Sequence, residues 1–145
     1  MTRAARPEDR SRLRAIQTVS LAEPWPDLLD TAIDGAGIVR VVTAEQSPDP
    51  DAPVGYAVAL PEGERAYIAE FAVAPTHRRA GYGSRLMTDL LAQLSGTGVE
   101  RVDLTVQLDD EQARSFYETH GFRVRSLVPE HYESGDALRL VRPVQ

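Results

Sequence analysis

The sequence predicts a mixed α/β domain, one sheet with helices packed on it, in the order β-α-α-β-β-β-α-β-α-β-β. Three observations predict it. Apolar and β-branched runs at 38–42, 54–60 and 66–74 are separated by turn-forming segments and read as an antiparallel meander. After Pro75 the apolar period lengthens to that of a helix. A strand pattern returns at 102–106, so the helix is the crossover of a strand–helix–strand unit near the middle of the sheet.

The elements follow in order. Pro7-Glu8-Asp9 suits a first helical turn, because proline fits there and acids favour the positive helix end. Leu13, Ile16 and Val19 then recur at helical spacing, which predicts a helix over 7–21. Pro24-Trp25-Pro26-Asp27 breaks it and opens a short helix carrying Leu28, Leu29 and Ile33, stopped by Gly35-Ala36-Gly37. Residues 46–53, with three prolines and two aspartates, form a surface loop after the strand at 38–42. The strand at 54–60 turns at Gly63-Glu64, and the run at 66–74 is apolar enough to be central.

Leu86, Met87, Leu90, Leu91 and Leu94 mark one face of a long helix that starts near Gly81 and ends at Gly96 and Gly98. The next strand alternates over 102–106. Asp109 stands where it would cap the following helix, which carries Ala113, Phe116, Tyr117 and His120 on one side and stops at Gly121. Strands over about 122–128 and 136–142 complete the chain. No repeat or linker divides it, so residues 1–145 are expected to form a single domain.

Composition narrows the function. With no cysteine, disulfides, thiolate metal sites and a cysteine nucleophile are excluded. No apolar run approaches the ~20 residues that span a bilayer, and the N-terminus lacks a signal-peptide core, so a cytoplasmic protein with no membrane role is expected. The net charge of -6 argues against non-specific nucleic-acid binding and suits a cationic partner better than an anionic one. Three scattered histidines give no metal site, and no Gly-x-Ser-x-Gly elbow marks a serine hydrolase.

The segment 71–86 carries the chemistry. A strand ends, a turn holds Arg78 and Arg79, and Gly81 and Gly83 open the long helix. The first amides of a helix have no internal acceptor and sit at the positive end of the dipole. Glycine keeps side chains off those amides, so the stretch reads as a phosphate cradle to which Arg78, Arg79 and Arg85 add charge. A Walker loop is excluded because the chain has no lysine, and a dinucleotide fingerprint because Leu86 stands at the third glycine position. The remaining alternative is that the glycines only turn a strand into a helix.

Arg78-x-x-Gly81-x-Gly83 resembles the cofactor motif of the GNAT acetyltransferases, and 115–122, with Phe116-Tyr117 before Gly121-Phe122, resembles that family's second signature at the expected distance. The resemblance spans nearly the whole chain. Within the family it is similar to the RimI-type protein N-terminal (ribosomal-protein alanine) acetyltransferases, through Glu23-Pro24-Trp25-Pro26 and the loop Glu130-His131-Tyr132-Glu133-Ser134-Gly135-Asp136-Ala137. It implies a GNAT fold: a mostly antiparallel sheet of six to seven strands with about four helices.

The resemblance also implies roles. Acetyl-CoA, as co-substrate, would lie in a splay between the strands at 66–74 and 102–106. Backbone groups of Phe71, Ala72 and Val73 would pair with its pantetheine arm, and amides from Arg78 or Arg79 through Ala80, Gly81, Tyr82, Gly83 and Ser84 would hold its pyrophosphate. Asp110 stands where the family often has an asparagine on the cofactor arm. Tyr117 matches the general acid toward the leaving thiolate. RimI-type enzymes carry a glutamate base where Thr105 stands here, and threonine cannot serve as a base. Tyr67 or Glu70 remains as a base, Glu70 alternatively as the ion-pair partner of an arginine. Trp25, His131 and Tyr132 would clamp the acceptor amine. The expected acceptor is a protein or peptide N-terminus; a small-molecule amine and a catalytically silent CoA-binding module are the alternatives.

Overall fold

Seven strands lie in one sheet in the computed structural model, which describes residues 1–21, 24–132 and 135–145. They are β1 (Thr2–Ala4), β2 (Ile38–Thr43), β3 (Pro53–Glu62), β4 (Arg65–Val73), β5 (Arg101–Gln107), β6 (Arg123–Tyr132) and β7 (Gly135–Pro143), in the order β1-β2-β3-β4-β5-β7-β6. All pairs are antiparallel except β4 with β5. That parallel step requires a crossover, supplied by helix α3 (Tyr82–Ser95). The other helices are α1 (Arg10–Ser20), α2 (Pro26–Thr31) and α4 (Glu111–Thr119). Of the expected six to seven strands and about four helices, seven strands, mostly antiparallel, and four α-helices form. Among the described residues, no helix is long and apolar enough to cross a membrane.

Two cores sit on the two faces of the sheet. On one, Leu86, Met87, Leu90, Leu91 and Leu94 of α3 pack against Ala57, Ala59, Ala66 and Ile68. Each such side chain contributes about 1.5–3 kcal/mol on burial. On the other, Leu13 and Ile16 of α1 and Leu29 of α2 cover Val39, Val41, Tyr56 and Val58.

β4 alternates between the cores, with one interruption. Val58 pairs with Glu70 and Ala59 with Ile68, so Ala69 is an extra residue in a bulge. Ala66 and Ile68 face α3 before the bulge, and Ala72 faces α1 after it.

Three local expectations are corrected. The predicted helix over 7–21 begins as a 3-10 turn at Pro7–Asp9 and becomes α-helical at Arg10. Val19 is 66% exposed; Gln17 takes the buried position beside Leu13 and Ile16, because the i, i+3, i+4 face of α1 runs 13-16-17. Asp110, not Asp109, caps α4: its Oδ1 accepts the Ala113 amide at 3.0 Å.

Candidate active site

β4 and β5 pair at only three positions, Arg65↔Arg101, Ala66↔Val102 and Tyr67↔Asp103, although β4 runs on to Val73 and β5 to Gln107. Beyond Tyr67 the strands part, and a cleft of about 570 Å³ opens between them. Its wall includes Phe71 and Val73 of β4, Thr105 and Gln107 of β5, Gly81 and Gly83, Ala113 and Tyr117 of α4, and Tyr132 of β6. On the α1 side, Ser20, Leu21 and Glu70 reach it.

Backbone polarity follows from register. The Ala74 amide donates to Val54 across β3 at 2.7 Å. By alternation, Ala72 also turns its amide and carbonyl toward β3, while Phe71 and Val73 turn theirs toward the opening. Ala72 is thus corrected as a backbone partner for a ligand, since its groups face the neighbouring strand. The Val73 carbonyl already accepts Arg78 Nε at 3.0 Å, which fixes that guanidinium at the mouth of the cleft.

The floor is the start of α3. After a 3-10 turn at Pro75–His77, Arg79 at φ +63 and Gly81 at φ +86 both take left-handed backbone. Gly81 is the N-cap, without a side-chain cap, so the first amides of α3 face the cleft unfilled by protein side chains. The two glycines serve different needs. A Cβ on Gly81 would meet nothing within 4 Å, whereas one on Gly83 would come within 3.2 Å of Phe116 Cε1 and 3.7 Å of Val73 Cγ2. Gly81 gives a backbone turn into open space; Gly83 lets α3 pack closely on β4 and α4. Tyr82 turns away: its ring meets His77 and the Arg85 guanidinium.

On the α3 face, Phe71, Phe116, Tyr117 and Phe122 form an aromatic wall, with Tyr117 5.4 Å from Phe116 and 6.1 Å from Phe71 between ring centroids. Burial, reinforced by the neighbouring Tyr132, Asp110 and Tyr67, pushes the Tyr117 phenol well above the ordinary tyrosine value. It therefore stays protonated at any physiological pH, and among the described residues its hydroxyl has no hydrogen-bond partner.

The α1 face holds two polar groups. Glu70, buried, accepts Gln17 Nε2 at 2.9 and 3.0 Å on its two oxygens, the Tyr56 hydroxyl at 2.9 Å and the Trp25 amide at 3.3 Å. Burial raises its pKa, and these hydrogen bonds pull it only part of the way back. The expected arginine partner is corrected: four neutral contacts occupy the carboxylate, three of them from the buried side chains of Gln17 and Tyr56. Sequence spacing could have flagged Gln17, a polar residue on the apolar face of α1, but nothing local joins Tyr56 to Glu70. The second group is the Thr105 hydroxyl, 2.9 Å from the Tyr67 hydroxyl, 3.2 Å from that of Tyr132 and 3.4 Å from His131 Nε2.

The structure thus brings Glu70, Phe71, Val73, Arg78, Arg79, Gly81, Gly83, Ser84, Asp110, Tyr117 and Tyr132 to one cleft. Tyr67 and His131 reach it through Thr105, while Ala80, Tyr82 and Trp25 are not part of its wall among the described residues. Trp25 is 60% exposed, on the loop that its amide ties to Glu70. Asp110 lines the cleft, but its Oδ1 is engaged by the α4 cap. Glu23, Glu133 and Ser134 of the expected signatures lie outside the described residues. No group of three or more metal-binding side chains occurs among the described residues.

A sheet parted at its one parallel step, with a crossover helix that starts at the opening, is the frame that carries the site. The chain belongs to the Acetyltransferase (GNAT) family, whose model matches residues 10–122. It is 28% identical over 118 residues to N-alpha-acetyltransferase 30 of Schizosaccharomyces pombe, covering 81% of this chain and 72% of that one. It is 25% identical over 132 residues to the [Ribosomal protein bS18]-alanine N-acetyltransferase of Haemophilus ducreyi, covering 91% and 88%. The fold matches that of Arabidopsis thaliana NAA60 in complex with acetyl-CoA at a TM-score of 0.89 and 19% identity, covering 99% of this chain and 97% of that one.

Proposed function

We propose that this chain, acting as a single domain, transfers the acetyl group of acetyl-CoA to the N-terminal α-amine of a protein or peptide. One observation carries the reading: the cleft lies between the parted β4 and β5, lined by the uncapped start of α3 and by Tyr117 on one face and by the polar Glu70 and Thr105 on the other. The names of both curated relatives, an N-alpha-acetyltransferase and a ribosomal-protein alanine N-acetyltransferase, support the choice of acceptor.

The residues fit the donor. The open space before Gly81 and the amides of α3 suit a diphosphate, and Arg78 and Arg79 add positive charge. Phe71 offers an unpaired amide and carbonyl, and Val73 an amide, to an extended amide-bearing arm. When bound, acetyl-CoA supplies an activated thioester. The neutral amine forms the new N–C bond, the C–S bond breaks, the sulfur takes the Tyr117 proton, and the proton shed by the acylated nitrogen passes through solvent to restore the phenol. Tyr117 holds that proton: its raised pKa keeps the phenol intact, and its unengaged hydroxyl is free to donate to the sulfur. Glu70 anchors the loop that carries Trp25, and the β6–β7 hairpin bearing His131 and Tyr132 faces it across the acceptor side.

The test is a thiol-release assay with acetyl-CoA against peptides with free N-termini, N-terminally blocked lysine peptides and polyamines. Turnover on the free N-termini is expected. Turnover confined to polyamines or lysine peptides would replace the acceptor, and no turnover on any amine would overturn the reading.

A further inference from the structure

Regular alternation along β6 would send His131 and Tyr132 to opposite faces of the sheet. Both instead reach Thr105. The register explains it: Val128 pairs with Ala137 and Tyr132 with Gly135, so three residues of β6 oppose one of β7. Within this bulge Glu130 sits at φ +52, left-handed backbone that strains a residue with a side chain. The Asp136 carboxylate holds it there by accepting the Glu130 amide at 2.8 Å. Strain kept in this way marks functional segments. Its product is the placement of the His131 imidazole, edge-on to Tyr132 at 4.7 Å, beside a hydroxyl at the cleft.

One arrangement of the protons satisfies the contacts at Thr105 together. Tyr132 donates to the Thr105 carbonyl at 3.3 Å. Thr105 has one hydroxyl proton. Given to His131 Nε2, it leaves the Thr105 oxygen to accept from Tyr67, and the order becomes Tyr67 O–H to Thr105 O–H to His131 Nε2. The nearby carboxylate on this face, Glu70, cannot compete as a base, since both oxygens are engaged by Gln17, Tyr56 and the Trp25 amide.

We propose that Tyr67, Thr105 and His131 form a relay that removes the proton of the acceptor ammonium and delivers it to solvent; the inference rests on the acetyl-transfer reading. The ammonium N–H passes to the Tyr67 oxygen as the Tyr67 proton passes to Thr105 and the Thr105 proton to His131 Nε2. The amine becomes neutral, each hydroxyl keeps one proton, and the exposed imidazolium releases its own to water. Tyr67 meets the substrate; Thr105 and His131 act through it as positioning residues. Among the described residues, the charged groups next to His131 in sequence and register are Glu130 on its own strand, Asp136 on β7, which accepts the Glu130 amide, and Arg139, which pairs with Thr105 in register and with Asp103 by its guanidinium.

The test follows kcat/KM from about pH 6 to 9.5 with acetyl-CoA and a peptide carrying a free N-terminal alanine, for wild type, Thr105→Val, His131→Gln and their double variant. Each single variant should be roughly 100-fold slower at pH 6 and roughly 10-fold slower at pH 7, following the neutral fraction of an α-amine. The deficit should fall below about threefold above pH 9, where an α-amine, with an ordinary pKa near 8, is already neutral. The double variant should be no slower than the slower single, Thr105→Ser should restore the rate, and acetyl-CoA affinity should not change. A Thr105→Val enzyme as fast as wild type, a deficit equal at every pH, or additive losses would overturn the relay while leaving acetyl transfer standing. A wild-type protein inert on every amine would bring down the transfer reading and the relay with it.

Discussion

Replacing Gly81 separates backbone shape from charge at the helix start. With φ at +86 and nothing within 4 Å of an added Cβ, Gly81→Ala meets only the left-handed penalty, about 1–2 kcal/mol. A domain near this size loses roughly 2–4 °C in Tm per kcal/mol, so the alanine variant should melt about 2–8 °C lower and stay folded. Gly81→Glu carries the same backbone cost and adds a carboxylate in the space before α3. A like charge about 4 Å away costs ~1 kcal/mol in water and ~4 kcal/mol at an effective dielectric of 20. Against a diphosphate, with solvent screening, the loss should be about 2–4 kcal/mol, or roughly 30- to 1,000-fold in Kd. The assay is calorimetric titration with acetyl-CoA alongside a thermal melt. Alanine should bind within about fivefold of wild type, and glutamate should show no measurable heat at micromolar ligand. Equal affinity for the two variants would refute an anion at this helix start.

Other outcomes follow from the same geometry. Tyr117→Phe keeps the aromatic wall and removes the donor, so kcat should fall roughly 10- to 100-fold with acetyl-CoA binding unchanged; normal turnover would exclude the phenol. The Glu70 pKa is raised in the folded state, so the native protein holds the proton more tightly and stability falls as pH rises from the ordinary glutamate pKa through the folded one. In urea titrations across that window the advantage of wild type over Glu70→Gln should shrink with rising pH; a constant or growing gap would contradict it. Asp9 is the opposite case. Burial alone would raise its pKa, but Arg3 at 2.7 and 3.0 Å and the Arg6 amide lower it, so its contribution is present at neutral pH and lost on acidification. Asp9→Asn should cost roughly 3 kcal/mol at pH 7, with the deficit fading at acid pH.

What the sequence disclosed depended on range. The strands, the α3 face and the glycine turn were legible because each is a local pattern: alternation, helical period, and glycines after a strand. Tyr117 and the 71–83 segment were legible through family spacing. The partners of Glu70 were not. Gln17, Tyr56 and Glu70 stand 53 and 14 residues apart in pairs, and only the packing of α1 on β3 and β4 brings them together. Val19 was misread because i+6 lies off the face that i, i+3 and i+4 define. The aim of His131 was illegible for a different reason: an alternating pattern cannot show a bulge held by a positive-φ glutamate.

The site owes its form to the one parallel step in an otherwise antiparallel sheet. An antiparallel neighbour could follow β4 by a hairpin; a parallel one demands a crossover, and a crossover returning to the start of β5 must begin where β4 ends. The start of α3, with its uncapped amides, is therefore placed at the same end of the strands where pairing has stopped. The uncapped helix start and the opening are two consequences of one connection. Because neighbouring strands present alternate residues to opposite faces, an opening between them is lined from both sides: Phe71 and Tyr117 from the α3 side, Thr105 and Glu70 from the α1 side. A thioester lying in such a gap is reachable by an amine from the face opposite its nucleotide. In the proposed reaction, donor and acceptor therefore need not share an entrance.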